Sequence, residues 1–304
     1  MRQGPQTRGS DQEDPVLAEL RRVPFRLHRP AVQTTPFVFA SPHSGRAYPK
    51  RFVAQSRLAL GALRRSEDAF VEELFLPVVE LGAPLIAAAF PRAYLDVNRA
   101  PAEFDQAMFE DPLPFAVDAA SPRVNAGLGV IPRIVREGAE IYRQKLSAEE
   151  ASERLATLYR PYQQALANLA DETKARFGVA IVIDCHSMPS AAAVPDIVLG
   201  DRYGVSAAPA LLRTAEEAFE RQGLCVARNV PYAGGYTTQL HGRPSLGSHA
   251  LQIEINRALY MDEDVIRPIP QTAAFAKRLT AGLQTILELD PALLAPRGMS
   301  QAAE

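Results

Sequence analysis

The chain has 304 residues, and its 33 Lys and Arg nearly balance its 35 Asp and Glu, which excludes the basic surface that nucleic-acid binding requires. No apolar run nears the roughly 20 residues of a membrane helix, and the polar N-terminus lacks the apolar core of a secretory signal. The two cysteines, Cys185 and Cys225, stand in no CxxC and point to buried thiols in a reducing cytoplasm.

In chain order, residues 1–14 read as a disordered tail and 23–32 as an edge strand carrying a surface His28. The first core strand, 36–41, runs into the Pro- and Gly-rich loop Ser41-Pro-His-Ser-Gly45, which holds His43. Ser66 reads as the N-cap of a helix with Glu67, Asp68 and Glu72 in its first two turns, where acids suit the helix dipole. Gly82 ends that helix, and strands follow at 85–90 and 94–98, the second ending in Arg99. Residues 100–146 are irregular and read as lids or binding loops. Within them Gly127-Leu-Gly-Val-Ile-Pro-Arg133 lacks the third Gly of a dinucleotide loop; Arg133 and Arg136 could meet an anion, or simply solvent.

Ser147-Ala-Glu-Glu150 fits a capping box, opening a helix that runs towards Arg176 with a break at Pro161. The central strand is 179–188. A short strand at 196–201, a helix at 206–222 and a strand at 225–230 follow. Residues 232–244, rich in Gly, read as a binding loop ahead of the strand that carries Glu254. A last helix at 270–288 covers the sheet. No linker divides the chain, so one α/β domain over 15–290 is expected, with tails at 1–14 and 291–304.

Period 2 in the central strand puts Asp184 and His186 on one face at its carboxyl end and turns Cys185 away. Ligand crevices of open α/β sheets lie beyond the carboxyl ends of strands. His43, His186, Glu254 and Arg99, each at a strand end, could therefore meet at one edge. A buried structural histidine would give the same local pattern. A zinc hydrolase needs imidazole and carboxylate ligands, an open position for water, and a Glu as general base. No GxSxG supports a serine nucleophile, and Cys185 faces away from His186.

Together, Ser41-Pro-His-Ser-Gly45, Leu95-Asp-Val-Asn-Arg99, Asp184-Cys-His-Ser187, Gly234-Gly-Tyr-Thr-Thr-Gln-Leu-His-Gly242 and Gln252-Ile-Glu-Ile-Asn256 resemble the N-formylglutamate amidohydrolases over about residues 24–290. That family is similar in fold to the zinc carboxypeptidase and aspartoacylase group. The resemblance implies a three-layer α/β/α domain with a mixed central sheet, one Zn2+ per chain, and hydrolysis of N-formyl-L-glutamate to glutamate and formate in histidine breakdown. It implies His43 and His186 as metal ligands, Glu254 as general base with His241 assisting the oxyanion, and Arg99 as carboxylate clamp. Asn98 and Thr237, in the same motifs, and Arg243, in the Gly-rich loop ahead of Glu254, become substrate-binding candidates, Arg243 for a second carboxylate. The carboxypeptidases place a Glu ligand three residues after the first His; here that position is Arg46, so Asp68 is expected as third ligand with Glu67 as runner-up. The alternatives are removal of another acyl group from an amino acid, or a metal-free protein that binds an acidic metabolite. The expected partner is a small N-acyl amino acid, with no nucleic acid and no membrane.

Overall fold

The structure, a computed structural model, describes residues 14–135, 138–191 and 194–296. Most of the two expected tails, and Arg136, lie outside the described residues. Asp14 caps the helix Pro15–Arg22 by accepting from the Val16 N–H. Residues Pro291–Leu294 form a 3-10 turn whose Leu294 is buried.

Seven strands make one sheet: β1 (Phe25–His28), β2 (Phe37–Ser41), β3 (Leu85–Ala88), β4 (Ala180–Met188), β5 (Ile197–Gly200), β6 (Val226–Arg228) and β7 (Ser248–Asn256), in the order β1-β3-β2-β4-β7-β5-β6. The inner strands β3, β2, β4 and β7 run parallel, while β1 and β5 are antiparallel to their neighbours β3 and β7. The sheet is thus mixed, as expected. Among the described residues no helix is long and apolar enough to cross a membrane.

Alternation along the strands splits the core into two layers. Phe37, Phe39, Ile181, Ile183 and Cys185 pack under the helices Pro209–Arg221 and Thr272–Leu287. Val38, Ala40, Val182 and Ala250 face the other layer, built from the long helix after Ser147 and the irregular 90–146 segment. Truncating a ring such as the fully buried Phe39 would cost about 3–5 kcal/mol in lost transfer energy and cavity. Asp184, His186, Gln252 and Glu254 continue the second face, so the layer made of turns is the one that meets the polar strand ends.

Four local expectations differ from the structure, the first being that Cys225, read as a buried thiol, is exposed while Cys185 is buried. Residues 94–98 form turns rather than a strand, because the Tyr94 and Leu95 N–H groups bond back to Pro91 and the Asp96 N–H to Val130. The helix expected from Ser66 begins only at Val71 (Val71–Phe75): Ser66 donates its hydroxyl to the Leu63 carbonyl, and Phe70 takes a left-handed conformation (φ 66) that breaks any continuous helix. Part of the expected loop at 232–244 is the helix Tyr236–His241. The capping box at Ser147 does form, and the helix passes through a π-turn at Leu155–Tyr159 just before Pro161.

Candidate active site

The ends of β2 and β4 bring two histidines together, their ring centres 4.8 Å apart. His43 sits in the loop after β2. Gly45 is required there, since a Cβ at that position would lie 2.1 Å from the Phe90 carbonyl oxygen. Asp68 reaches the same point because its N–H donates to the His43 carbonyl oxygen at 3.0 Å. Its Oδ2 lies 2.9 Å from His186 Nδ1 and 3.4 Å from His43 Nδ1. One ligand atom from each of His43, Asp68 and His186 fits within a 4.8 Å cluster, and all three residues are buried.

These residues fit a metal ion on independent grounds. His43 Nδ1 is buried without any hydrogen-bond partner, a costly state unless something else takes its lone pair. The far nitrogens are also held: His43 Nε2 lies 2.7 Å from Asp96 Oδ1, and His186 Nε2 lies 2.9 Å from the Asn98 amide nitrogen and 3.0 Å from Asp184 Oδ1, the last a charge contact without hydrogen-bond alignment. Carboxylate–histidine pairs of this kind fix the tautomer and orientation of metal-binding imidazoles. Two imidazoles and one carboxylate suit zinc. Glu67 points elsewhere, accepting from Tyr48 and Arg64. Asp68 is held well below the usual carboxylate range: burial opposes this, but the histidines beside it prevail.

Glu254 stands beside His186 because the two are register partners in the β4–β7 ladder. Its Oε1 accepts from Gln252 Nε2 at 2.8 Å, leaving Oε2 unengaged. Burial pushes its pKa up to about 7, with Asp68 and Asp184 adding to the rise and His186 and Arg92 opposing it. That value suits a general base at neutral pH.

A cavity of about 620 Å³ spans these groups and extends along a wall of arginines. Arg92 donates its Nε to Asp96 Oδ2 at 3.0 Å, and the charges of Asp68 and Glu254 act on it. Arg99 lines the cavity but is stitched into its wall, donating Nε to the Leu128 carbonyl and NH1 to the Asn98 carbonyl, each at 2.8 Å. Burial lowers its pKa to about 10 against the pull of Asp96. Arg257 donates to Ser187 Oγ, to the Glu67 carbonyl and, at 3.0 Å, to Asp68 Oδ1.

His43, Asp68, Asn98, Arg99, His186 and Glu254 all reach this cavity. Asn98 is engaged by protein: its amide donates to Asp184 Oδ2, and its carbonyl accepts from the Thr237 N–H. Thr237 thus acts through Asn98. Gly235 is small for Asn98 and not for a ligand, since a Cβ there would lie 2.4 Å from the Asn98 amide nitrogen. His241 and Arg243 do not line the cavity. Arg243 pairs with Ser248, the first residue of β7, six positions before Glu254 and therefore about 20 Å along the strand. Arg92, Gln252 and Arg257 join the site without having been sequence candidates, and Asp96 stood only within the Leu95–Arg99 motif. Gln252 shares the Glu254 face by period 2, a signal that was present; nothing in the spacing marks the two arginines.

A family model described as N-formylglutamate amidohydrolase matches residues 35–261. A protein named N-formylglutamate deformylase from Pseudomonas aeruginosa is 30% identical over 73% of this chain and 80% of its own length. Its namesake from Pseudomonas putida is 29% identical over 64% of this chain and 71% of its own. The crystal structure of N-formylglutamate amidohydrolase from Ralstonia eutropha JMP134 superposes with a TM-score of 0.81 at 36% identity, covering 86% of this chain and 96% of that one. A gene product of Agrobacterium tumefaciens, Atu2144, shares the fold at 19% identity and TM-score 0.59.

Proposed function

The chain belongs to the N-formylglutamate amidohydrolase family, and from that premise we propose that it is a zinc-dependent hydrolase converting N-formyl-L-glutamate and water to L-glutamate and formate. The observation that carries this reading is Glu254, poised near neutral pKa beside the His43–Asp68–His186 cluster. The named relatives support the substrate, and the resemblance ties the reaction to histidine breakdown. When bound by those three residues, zinc supplies Lewis acidity and lowers the pKa of a water in its open position to about 7.

The chain's own residues do the rest. Glu254 Oε2 takes a proton from the attacking water. The water oxygen bonds to the formyl carbon, and the same carboxyl returns the proton to the amide nitrogen as the C–N bond breaks. Arg92, anchored by Asp96 and near Glu254 and Asp68, presents positive charge where the carbonyl oxygen becomes negative. Arg99 NH2, the one nitrogen not spent on a backbone carbonyl, faces the α-carboxylate as a single donor and not as a fork. Asp96 and Asp184 hold the imidazoles, and Arg257 holds Asp68. The test is formate release from N-formyl-L-glutamate by the purified protein as isolated, after chelation, and after zinc is restored. About one zinc per chain and zinc-restored turnover are expected. A metal-free protein that binds the substrate without releasing formate would overturn the reading.

A further inference from the structure

The arginines around the cavity differ in how far their donors are committed. Arg257 is consumed by the protein, Arg99 keeps only its NH2, 3.5 Å from Asp96 Oδ2, and Arg92 is fixed through its Nε. Arg123 is different. It lines the cavity with its side chain 35% exposed, and the nearest acid among the described residues, Glu103 Oε2, is 4.0 Å away, beyond hydrogen-bond range. Among the described residues its guanidinium makes no hydrogen bond.

Its position is nevertheless built. Ser121 caps the turn that carries Arg123, accepting the Arg123 N–H at 3.3 Å and donating its own hydroxyl to Glu103 Oε1 at 2.5 Å. Glu103 Oε2 accepts the N–H of Ala100, the residue after Arg99, at 2.9 Å. One buried carboxylate therefore ties the Arg99 turn to the Arg123 turn. The two cations are close enough that Arg123, with Arg92, pulls the pKa of Arg99 down. Arg92 has Asp96, Asp68 and Glu254 about it and Arg99 has Asp96, whereas the carboxylate beside Arg123 is already engaged by Ser121 and Ala100. A row of like charges kept this close is relieved by an anion.

We propose that Arg123 is the specificity-determining residue that reads the side-chain carboxylate of the N-formylated substrate, selecting glutamate over its amide. This rests on the hydrolase reading above. The carbon bearing the scissile nitrogen also bears the α-carboxylate, which must stay by Glu254 and the metal ligands. The second carboxylate lies two methylenes further out. Arg92 feels Asp68 and Glu254, whereas Arg123 lines the cavity beside Arg99 with its fork open, the arrangement a carboxylate binds with two parallel hydrogen bonds.

The experiment measures kcat and KM by formate release for N-formyl-L-glutamate and N-formyl-L-glutamine, with the wild type, Arg123→Gln, Arg123→Lys and Arg65→Gln. Arg65 also lines the cavity and is the control cation. Arg123→Gln is expected to raise KM for formylglutamate about tenfold or more with kcat little changed, and to leave formylglutamine unaffected, so the preference collapses. Arg123→Lys should recover part of it, because charge returns without the fork. A wild type that does not discriminate, an Arg123→Gln enzyme that still does, or a collapse caused by Arg65→Gln instead would each overturn the proposal. A wild type that releases formate from neither substrate overturns the hydrolase reading and this proposal with it.

Discussion

On the metal side of the cavity His186 and Glu254 stand on regular strands, with His43 and Asp68 in turns packed against them, whereas the arginine wall stands on turns alone. His186 and Glu254 are neighbours in a parallel ladder, and β2 delivers the loop with His43 one strand away. Backbone hydrogen bonds set those positions, and sheet sterics keep them. Arg92, Arg99 and Arg123 lie in a segment without a strand of the main sheet, held by Asp96, Glu103 and the carbonyls of Leu128 and Asn98. In the proposed reading, the groups that hold a metal and move a proton sit against the sheet, and the groups that choose the substrate occupy connections that can change without disturbing it.

The largest expected effect tests the metal side. Asp68→Ala should abolish metal binding and activity, since it removes a ligand and leaves Arg257 beside two histidines. Glu67→Ala, one residue away, should keep the metal, and instead lower stability by about 1–3 kcal/mol because Tyr48 loses the acceptor of its hydroxyl. Metal analysis and thermal melting of both variants separate the roles; equal metal loss would mean that the backbone turn, and not the Asp68 side chain, is what matters.

Next is Glu254→Gln, which should retain zinc and lose about 10²–10⁴-fold in kcat. The pH profile follows with a definite sign. A carboxyl raised to about 7 is protonated and useless as a base below that pH, so kcat/KM should fall as pH drops through the working pKa. A bound cation would lower that limb, and Glu254→Gln should erase it. In the metal-free protein the same shift costs stability as pH rises from the ordinary carboxylate range through about 7, and the Gln variant should melt at a less pH-dependent temperature.

The two walls were also unequally legible in the sequence. Alternation alone put Asp184 and His186 on one face and Cys185 in the apolar layer, and the structure agrees. The same alternation misled at 94–98. Leu95 and Val97 are buried at the spacing of a strand, yet their segment is folded into turns whose N–H groups donate to the Pro91 and Val130 carbonyls. A buried turn and a buried strand leave the same apolar imprint, so Arg99 was read as a free strand-end cation when two of its donors are spent on carbonyls. Asp68 was legible as a ligand only through the family resemblance and not from the local pattern, because its placement depends on the left-handed Phe70 and on a backbone bond to His43. Arg257 was invisible: its value lies in contacts to residues 67 and 68, about 190 positions away in sequence.

Arg257 gives the third prediction. It leaves Asp68 Oδ2 for the metal by occupying Oδ1. Arg257→Met should weaken zinc affinity about 10–100-fold, as loss of a partner behind a ligand typically does, while saturating zinc restores most of kcat. Unchanged affinity, read by competition with a chelator, would make Arg257 a purely structural tie between β7 and the 65–68 turn.

The smallest effect is expected at the two loop residues that the structure leaves outside the cavity. Arg243→Ala and His241→Ala should each change kcat/KM for N-formyl-L-glutamate by no more than about twofold, and should leave the substrate ranking intact, as surface and non-contact changes usually do. The reason is directional. The loop after β6 meets Asn98 near Gly235 and Thr237, at the carboxyl ends of the strands, and then must return to the amino end of β7 before that strand can run parallel to β4. The helix Tyr236–His241 makes that return, so each residue after Thr237 is carried further from the crevice. His241 ends it, partly buried, its pKa lowered to about 4 by burial, so it carries no charge at neutral pH with which to meet an oxyanion. Arg243 then bonds its backbone to Ser248 at the wrong end of the sheet for any substrate held by Glu254. A tenfold loss in Arg243→Ala with zinc content and melting temperature unchanged would mean that the loop reaches the substrate by a path other than this one, and the division between a catalytic strand wall and a selective turn wall would have to be redrawn.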